Sequence, residues 1–253
     1  MTDPETSKIG GLAPAASMLA YKHRLSTRLW HWINALTTFV MLMSGLMISN
    51  AHPHLYWGVY GANHDRPWFD PPHFPGWATI PSTYNLALAR NWHLFFAWIF
   101  AFGLLAYMIV SLLNRHFQRD LTLRRTELAP AHLWQDVKDH ARLRFPTGQA
   151  ALSYNVIQKI TYVAVIFGLL PLMILSGLAM SPGFNAVMHW PLDLVGGRQS
   201  MRSIHFIAAG LIAAFIAVHL LLVVLAGPFN EIRSMITGRF RIPAERSIEG
   251  EAA

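Results

Sequence analysis

Four long apolar runs are the dominant pattern along the chain. They cover about residues 30–49, 92–113, 160–180 and 203–226. Each run is close to the roughly 20 residues that an α-helix needs to cross the hydrocarbon core of a bilayer, and each is too long for a barrel strand. The pattern therefore predicts an all-α fold, an integral membrane four-helix bundle, with residues 1–253 as a single membrane domain.

The connections between the runs predict a structured loop and short interfacial helices. Residues 51–90 and 181–200 are rich in proline, glycine and aromatic residues, unlike flexible linkers, and we expect these two connections to pack together. Residues 131–145 and the segment PFNEIRSMITGRF (228–240) place apolar residues at helical spacing among charges, as helices lying on a membrane do. Pro171 is expected to kink the third run.

Charge gives these segments an orientation. The chain is 53% hydrophobic and 13% charged, and sixteen of its 20 Lys and Arg residues lie before the first run, between the second and third, or after the fourth. By the positive-inside rule, both termini are cytoplasmic in a multi-pass protein of the cytoplasmic membrane. The net charge of +7 is then explained by basic residues in the cytoplasmic segments, which lie next to membrane lipid, and it does not indicate a nucleic-acid partner. The first 20 residues lack the basic start and apolar core of a signal peptide.

The chain contains no cysteine. This excludes disulfides, thiolate-bound iron–sulfur clusters, covalently attached c-type haem and thiol catalysis. Any redox centre must therefore be held by histidine or methionine.

Four of the 13 histidines lie within or beside the apolar runs: His31, His93, His205 and His219. Residues 205 and 219 are separated by about 21 Å along a helix and face within about 40° of the same direction. Since successive runs cross in opposite directions, His93 falls at the depth of His205, and His31 at the depth of His219. The sequence thus predicts two histidine pairs at two depths.

Two imidazoles facing each other across a bundle are the ligands of a six-coordinate b-type haem, whereas zinc prefers further ligands. The alternative for any one of them is a hydrogen-bonded packing residue. Glycines near the same faces would admit a flat macrocycle or, alternatively, close helix packing. They are Gly45, Gly103, Gly177 and Gly210.

Two stretches of the chain echo each other weakly. VMLMSGLMIS (40–49) is similar to LMILSGLAMS (172–181), and RNWHLFFA (90–97) to RSIHFIAA (202–209). Either the two helix pairs share an ancestral pattern, or short apolar strings match by chance.

The histidine-bearing segments resemble the four-helix di-haem cytochromes b of the bacterial cytochrome b561 group. RLWHWINALTTFVMLMSGL (28–46), RNWHLFFAWIF (90–100) and RSIHFIAAGLIAAFIAVHL (202–220) are similar to its first, second and fourth helices. This group includes membrane subunits of formate dehydrogenases and hydrogenases. The resemblance implies a bacterial protein with two haem b, ligated by the pairs given above.

The loop beginning HPHLYWGVYG (52–61) looks most like the thiosulfate-reductase-type branch, whose members accompany molybdopterin oxidoreductases. YNVIQK (154–159) is similar to a stretch of formate dehydrogenase gamma subunits that lies at their quinone site. The resemblance implies that Asn155 hydrogen bonds a ubiquinone or menaquinone carbonyl, with Gln158 nearby. Arg90 and Arg202, one turn before two of the ligands, are candidates for binding haem propionates or for interfacial anchoring. The four histidines of the long loop favour a polar interface, with a metal site as the alternative; they are His52, His54, His64 and His73.

The expected function is electron transfer between the quinone pool and a periplasmic redox protein, a molybdopterin oxidoreductase by the resemblance. No acid, base or nucleophile constellation accompanies the histidines, so substrate chemistry is assigned to the partner. One alternative is a superoxide:quinone oxidoreductase that acts alone. The other is a membrane anchor without redox function.

Overall fold

The computed structural model describes residues 18–61, 65–123, 127, 129–142 and 152–242. Four of its helices are long and apolar enough to cross a membrane, and we call them the first to fourth spans: Leu25–Ala51, Leu86–Leu113, Val156–Met180 and Arg198–Ala226. This confirms the all-α four-helix prediction. The spans begin four to six residues earlier than their apolar runs, because each helix includes residues that precede the run, such as Arg198–Arg202 in the fourth span.

In the second span, a polar cap fixes the start of the helix several residues before the apolar run. The side chain of Asn85 accepts a hydrogen bond from the backbone N–H of Leu88 at 3.0 Å. An asparagine in this position satisfies one of the donors that the first turn of a helix leaves unpaired. The helix therefore starts at Leu86, well before the apolar run.

The third span is interrupted in its middle. Its α-helical parts are Val156–Val163 and Leu170–Met180, and a π-helical stretch, Ala164–Leu169, joins them. Pro171 lies two residues after the end of this stretch, and it lacks the N–H that would continue the hydrogen-bond ladder of an α-helix. The irregularity that the sequence placed at Pro171 thus takes the form of a π-helical turn before it.

The spans pack as two hairpins. The first lies against the second and the third against the fourth, whereas the two hairpins bring their backbones close at few positions. A core of buried side chains fills the space toward the centre, and Tyr107 stacks on Trp30 with ring centroids 4.1 Å apart. The described members of this core are Phe100, Leu104, Tyr107, Leu121, Ile166, Leu170 and Ile212.

Two ordered connections close one end of the bundle, which we call the loop end. Residues 52–85 contain an antiparallel bridge between Leu55 and Phe69 and a short 3₁₀ helix, Gly76–Ala78. Residues 181–197 form two short helices, Pro182–Val187 and Trp190–Leu194. The predicted structured loop is therefore present, without a long regular element.

The two connections pack together, as the sequence predicted. The N–H of Gly58 donates to the Ser200 hydroxyl at 2.7 Å, and Gly58 O accepts from the N–H of Gln199 at 3.1 Å. Gly197 has φ +124°, and a Cβ there would lie 2.6 Å from Val59 Cα. Only glycine allows this approach, so the long loop is seated on the start of the fourth span.

The opposite end, which we call the termini end, carries a small sheet that the sequence pattern did not reveal. Strand β1, Met18–Tyr21, pairs antiparallel with strand β2, Arg239–Ile242. Lys22 Nζ lies 3.1 Å from Glu231 Oε2 in the helix that precedes β2. Four-residue strands separated by the whole bundle leave too little local pattern for recognition.

Two short helices lie at the termini end where interfacial helices were predicted. They span Pro130–Ala141 and Pro228–Thr237. Residues 143–145, which the first prediction included, lie outside the described residues. Trp134 and Ile232 are exposed on these helices, as expected for side chains that meet lipid.

His23 makes the termini end sensitive to acid. Burial, reinforced by the charge of Lys22, lowers the pKa of His23 to about 4. The folded protein therefore keeps this imidazole neutral, whereas the unfolded chain protonates it near pH 6.5. The stability contributed by neutral His23 is present above pH 6.5 and is lost as the pH falls toward 4. We expect the thermal unfolding midpoint in detergent to fall over this range.

The substitution His23→Gln should flatten this pH dependence, because glutamine does not titrate. His189→Gln is the matched control, since the His189 side chain is 62% exposed. An acid loss of the same size in His23→Gln would show that another group is responsible.

Candidate functional site

The four intramembrane histidines meet in two pairs at opposite ends of the bundle. At the loop end, the His93 and His205 ring centroids lie 6.3 Å apart with an interplanar angle of 63°. At the termini end, the His31 and His219 centroids lie 6.4 Å apart at 59°. The fourth span supplies one histidine to each pair, and the first and second spans supply the others.

Both separations match two imidazoles on opposite sides of one metal ion. A nitrogen–metal bond is about 2.0 Å and a ring nitrogen lies about 1.1 Å from the ring centroid, so a trans pair places its centroids about 6 Å apart. In the described part of the chain, no three His, Asp or Glu side chains group closely enough to hold a metal ion. The pairs therefore fit a metal whose remaining ligands come from a macrocycle better than they fit zinc.

Serine hydroxyls fix the imidazoles of the loop-end pair. His93 Nδ1 lies 3.1 Å from Ser44 Oγ and 3.1 Å from the Met41 carbonyl oxygen. His205 Nδ1 lies 2.8 Å from Ser176 Oγ. Since a carbonyl only accepts, His93 carries its proton on Nδ1, and the Nε2 lone pair is left for a ligand.

The termini-end pair is held differently. His219 stacks on Phe215 at 5.8 Å, and His31 meets Trp32 edge-on at 5.1 Å. His31 Nδ1 is buried and has no hydrogen-bond partner in the described residues. Among the described residues, aromatic rings thus contact and orient these two imidazoles.

The four glycines singled out from the sequence fall into two kinds. A Cβ on Gly45 would lie 3.5 Å from His93 Cε1, and one on Gly177 would lie 3.5 Å from His205 Cε1. A Cβ on Gly103 or Gly210 would meet no described atom within 4 Å. The first two glycines therefore border the loop-end imidazoles, whereas the other two face open space.

Asn155 and Gln158 form the N-terminal cap of the third span. Asn155 Oδ1 accepts from the N–H of Gln158 at 2.8 Å, and Gln158 Oε1 accepts from the N–H of Asn155 at 3.2 Å. This reciprocal capping box satisfies two donors of the first turn. Lys159, beside them, pairs with Glu127 at 2.8 Å. Burial raises the pKa of neighbouring Tyr154, so its hydroxyl stays protonated at neutral pH.

A basic group lies at the loop end. Arg202 donates to the His52 carbonyl oxygen through Nη2 and to Gln199 Oε1 at 3.4 Å. Partial burial, followed by the charges of Arg202 and Arg90, lowers the pKa of His52. The imidazole is therefore neutral near two guanidinium groups at neutral pH, and the local positive charge suits a carboxylate such as a propionate.

Of the other loop histidines, His54 has an ordinary partner, His73 is exposed and His64 lies outside the described residues. His54 Nδ1 lies 3.1 Å from Asp70 Oδ1. The sequence interpretation missed two buried histidines at the termini end, His23 and His116. His116 Nδ1 lies 2.6 Å from Asp120 Oδ2, and an i, i+4 His/Asp pattern was the available signal.

Four membrane-length helices with facing histidines and no cysteine make up the scaffold of a membrane b-type cytochrome. The chain belongs to the prokaryotic cytochrome b561 family, whose sequence profile matches residues 22–238. Family membership confirms the resemblance drawn from the histidine-bearing helices. It makes haem b the cofactor and electron transport in a membrane the activity of this class.

Three relatives agree with this membership. A protein of Azospira oryzae assigned as protein-methionine-sulfoxide reductase subunit YedZ1 is 27% identical, over 78% of this chain and 87% of the relative. A protein of Cupriavidus necator assigned as a Ni/Fe-hydrogenase B-type cytochrome subunit is 25% identical, over 91% and 86%. Escherichia coli cytochrome YdhU, also an assigned name, is 25% identical, over 87% and 74%. No solved structure gives a significant match.

The capping box predicts a measurable contribution to stability. Asn155→Ala removes the side-chain acceptor for Gln158 N–H and should lower the free energy of unfolding by about 1 kcal/mol. SDS titration in detergent micelles measures this change. Asn155→Ser retains a capping oxygen and should lose much less, so equal losses in the two variants would show that capping is not the cause.

Proposed function

We propose that this chain is the membrane electron-transfer subunit of an oxidoreductase and binds two haem b. His93 and His205 ligate one haem at the loop end, and His31 and His219 ligate the other at the termini end. The observation that carries the proposal is the pair of ring separations, 6.3 and 6.4 Å, at opposite ends of one bundle.

The fourth span sets the distance between the two sites. Arg198–Ala226 is one uninterrupted α-helix, and its two histidines lie about 21 Å apart along the axis. Phe100, Leu104 and Ile212 are buried in the core between the two levels. Haem b, when bound, carries one electron at a time, and these side chains keep water out of the space between the sites.

The termini end is the proposed quinone side. Asn155 and Gln158 stand at the entrance of the third span at this end, where the resemblance to formate dehydrogenase subunits assigns a quinone carbonyl. A quinone takes up two electrons and two protons to become a quinol, and the reverse reaction returns them. Buried Tyr154, with its protonated hydroxyl, is a hydrogen-bond donor next to this position.

The loop end is the proposed partner side. Tyr60, Trp77 and Trp190 are exposed there, Tyr60 and Trp77 by more than four fifths, and aromatic residues are enriched where proteins dock. The charge distribution supports cytoplasmic termini and hence a periplasmic loop end. The names of two relatives, a hydrogenase and a methionine-sulfoxide reductase subunit, support a redox partner, for which we propose a molybdopterin oxidoreductase.

The ligand assignment predicts site-specific loss of haem. His219→Ala should reduce the haem content from two per chain to one and leave the loop-end haem in place, because only the termini-end iron loses a ligand. His205→Ala should do the reverse. A reduced-minus-oxidised visible spectrum with haem quantified per chain measures both.

His189→Ala is the control for these variants, since the His189 side chain is exposed between the two short loop-end helices and the variant should retain both haems. Two haems in His219→Ala would overturn the proposed pairing. Absence of haem in the parent protein, expressed with sufficient haem supply, would overturn the proposed function itself.

The proposed contact of Asn155 with quinone can be tested separately from its role in capping the third span. Asn155→Ser retains the capping oxygen but removes the carboxamide, so we expect a KM for quinone raised about tenfold with unchanged haem content, the loss of roughly one hydrogen bond. Stopped-flow reoxidation of the reduced protein by a soluble quinone analogue measures this change. An unchanged KM would remove Asn155 from the quinone site.

The partner assignment predicts a complex. Affinity purification of the tagged chain from its native membrane should recover a periplasmic protein containing molybdenum, which elemental analysis detects. Recovery of the chain alone, together with superoxide-driven reduction of its haem, would instead favour the superoxide:quinone alternative.

A further inference from the structure

The same contact occurs twice at the loop end. Ser44 of the first span contacts His93 of the second, and Ser176 of the third contacts His205 of the fourth, each through Oγ and Nδ1. Both serines are buried, with 0% and 1% of their surface exposed. Each belongs to a Ser-Gly-Leu triplet, residues 44–46 and 176–178, so the weak sequence echo coincides with a repeated structural contact.

Each serine already uses its own proton within its helix. The Ser44 hydroxyl donates to the Val40 carbonyl oxygen at 2.7 Å, and the Ser176 hydroxyl donates to Met173 O at 3.2 Å. When the serine proton stays within its own helix, Oγ accepts from Nδ1–H of the imidazole, and for His93 the Met41 carbonyl oxygen independently requires the same proton. This selects one tautomer in both histidines and leaves both Nε2 lone pairs free.

The described residues show no equivalent contact at the termini-end pair. His31 Nδ1 is buried without a partner in the described residues, and its neighbours Trp32 and His219 contact it as rings. A hydrogen bond that accepts Nδ1–H increases the electron density on a ligating imidazole and stabilises the oxidised metal. The histidines at the two ends of the bundle therefore differ in the hydrogen bonding of Nδ1, although they are the same residue type.

We propose that Ser44 and Ser176 are positioning residues that fix the Nδ1–H tautomer of His93 and His205 and lower the reduction potential of the loop-end haem relative to the termini-end haem. This inference rests on the proposed function for the identity of the ligands. It assigns a role to two serines that contact the imidazoles at Nδ1, and it makes electron flow from the loop-end haem toward the termini-end haem the thermodynamically downhill direction.

The two serines are not equivalent. His93 Nδ1 keeps a second acceptor, the Met41 carbonyl oxygen at 3.1 Å, when the Ser44 hydroxyl is removed. His205 Nδ1 has no second acceptor in the described residues. Ser176→Ala should therefore change the loop-end haem more than Ser44→Ala does.

A spectroelectrochemical titration of the purified holoprotein tests the proposal. Ser176→Ala should raise the midpoint potential of the loop-end haem and leave that of the termini-end haem unchanged. Ser44→Ala should give a smaller rise, and Ser176→Thr, which retains the hydroxyl, should return the potential to that of the parent. The low-spin electron paramagnetic resonance signal of the same haem should shift in Ser176→Ala, because weaker imidazole donation changes the ligand field.

Ser234→Ala is the matched control. Ser234 is 0% exposed and donates to a carbonyl oxygen of its own helix at 2.8 Å, as Ser176 does, but it lies in the last helix at the termini end. It should change neither potential. If Ser176→Ala loses the loop-end haem instead of shifting it, retention in Ser176→Thr and Ser234→Ala supports positioning by the hydroxyl.

The proposal is overturned by equal shifts in Ser176→Ala and Ser234→Ala, or by a two-haem Ser176→Ala protein with the parent potentials. Failure of the proposed function looks different, because the parent chain itself would then lack two haems.

Discussion

Water supplies no partner for the two ring nitrogens of an imidazole inside the hydrocarbon layer, so a nitrogen without a partner there is costly. His31 Nδ1 is such a nitrogen in the described residues. In this chain, the two loop-end imidazoles give their Nδ1 protons to neighbouring backbone or serine oxygens, and all four imidazoles lie in facing pairs. The arrangement of the spans follows from this requirement. Each histidine needs a second span at the same depth, so the fourth span lies opposite the first and second at once.

The packing of the bundle serves the same requirement. The backbones approach closely within each hairpin, while the space between hairpins is bridged largely by side chains, histidines among them. The depth of the fourth span is fixed from outside the membrane, since Gly58 and Gly197 seat the long loop on its first turn. Ser203, two residues before a proposed ligand, accepts from Trp68 Nε1 at 2.9 Å and donates to Tyr56 O at 2.6 Å. The loop therefore holds the height at which His205 faces His93.

Periodicity was enough to predict the spans and the meeting of the histidines, because residues fourteen apart on one helix return to one face. It was not enough to predict which side chains contact the Nδ1 atoms of the imidazoles. Ser44 and Ser176 bond to carbonyl oxygens of their own helices, a local habit of serine that carries no sign of a neighbouring histidine. The pairing of β1 with β2 was equally invisible, since each strand is four residues long. For Asn155 the sequence pattern was visible but ambiguous. Helix capping and ligand binding favour the same polar residue types at the start of a helix, so the pattern alone does not distinguish the two roles.

The sheet at the termini end also orders events during synthesis. β1 leaves the ribosome before any span has been made, and its partner β2 leaves only after the fourth span is complete. The same holds for Lys22, whose partner Glu231 lies 209 residues later. Until β2 has been made, the β1–β2 pairing cannot form, so this contact cannot hold the first span before the fourth span, which carries the partner of its histidine, has been synthesised. The two terminal strands therefore pair only after every helix that contributes a histidine has been synthesised.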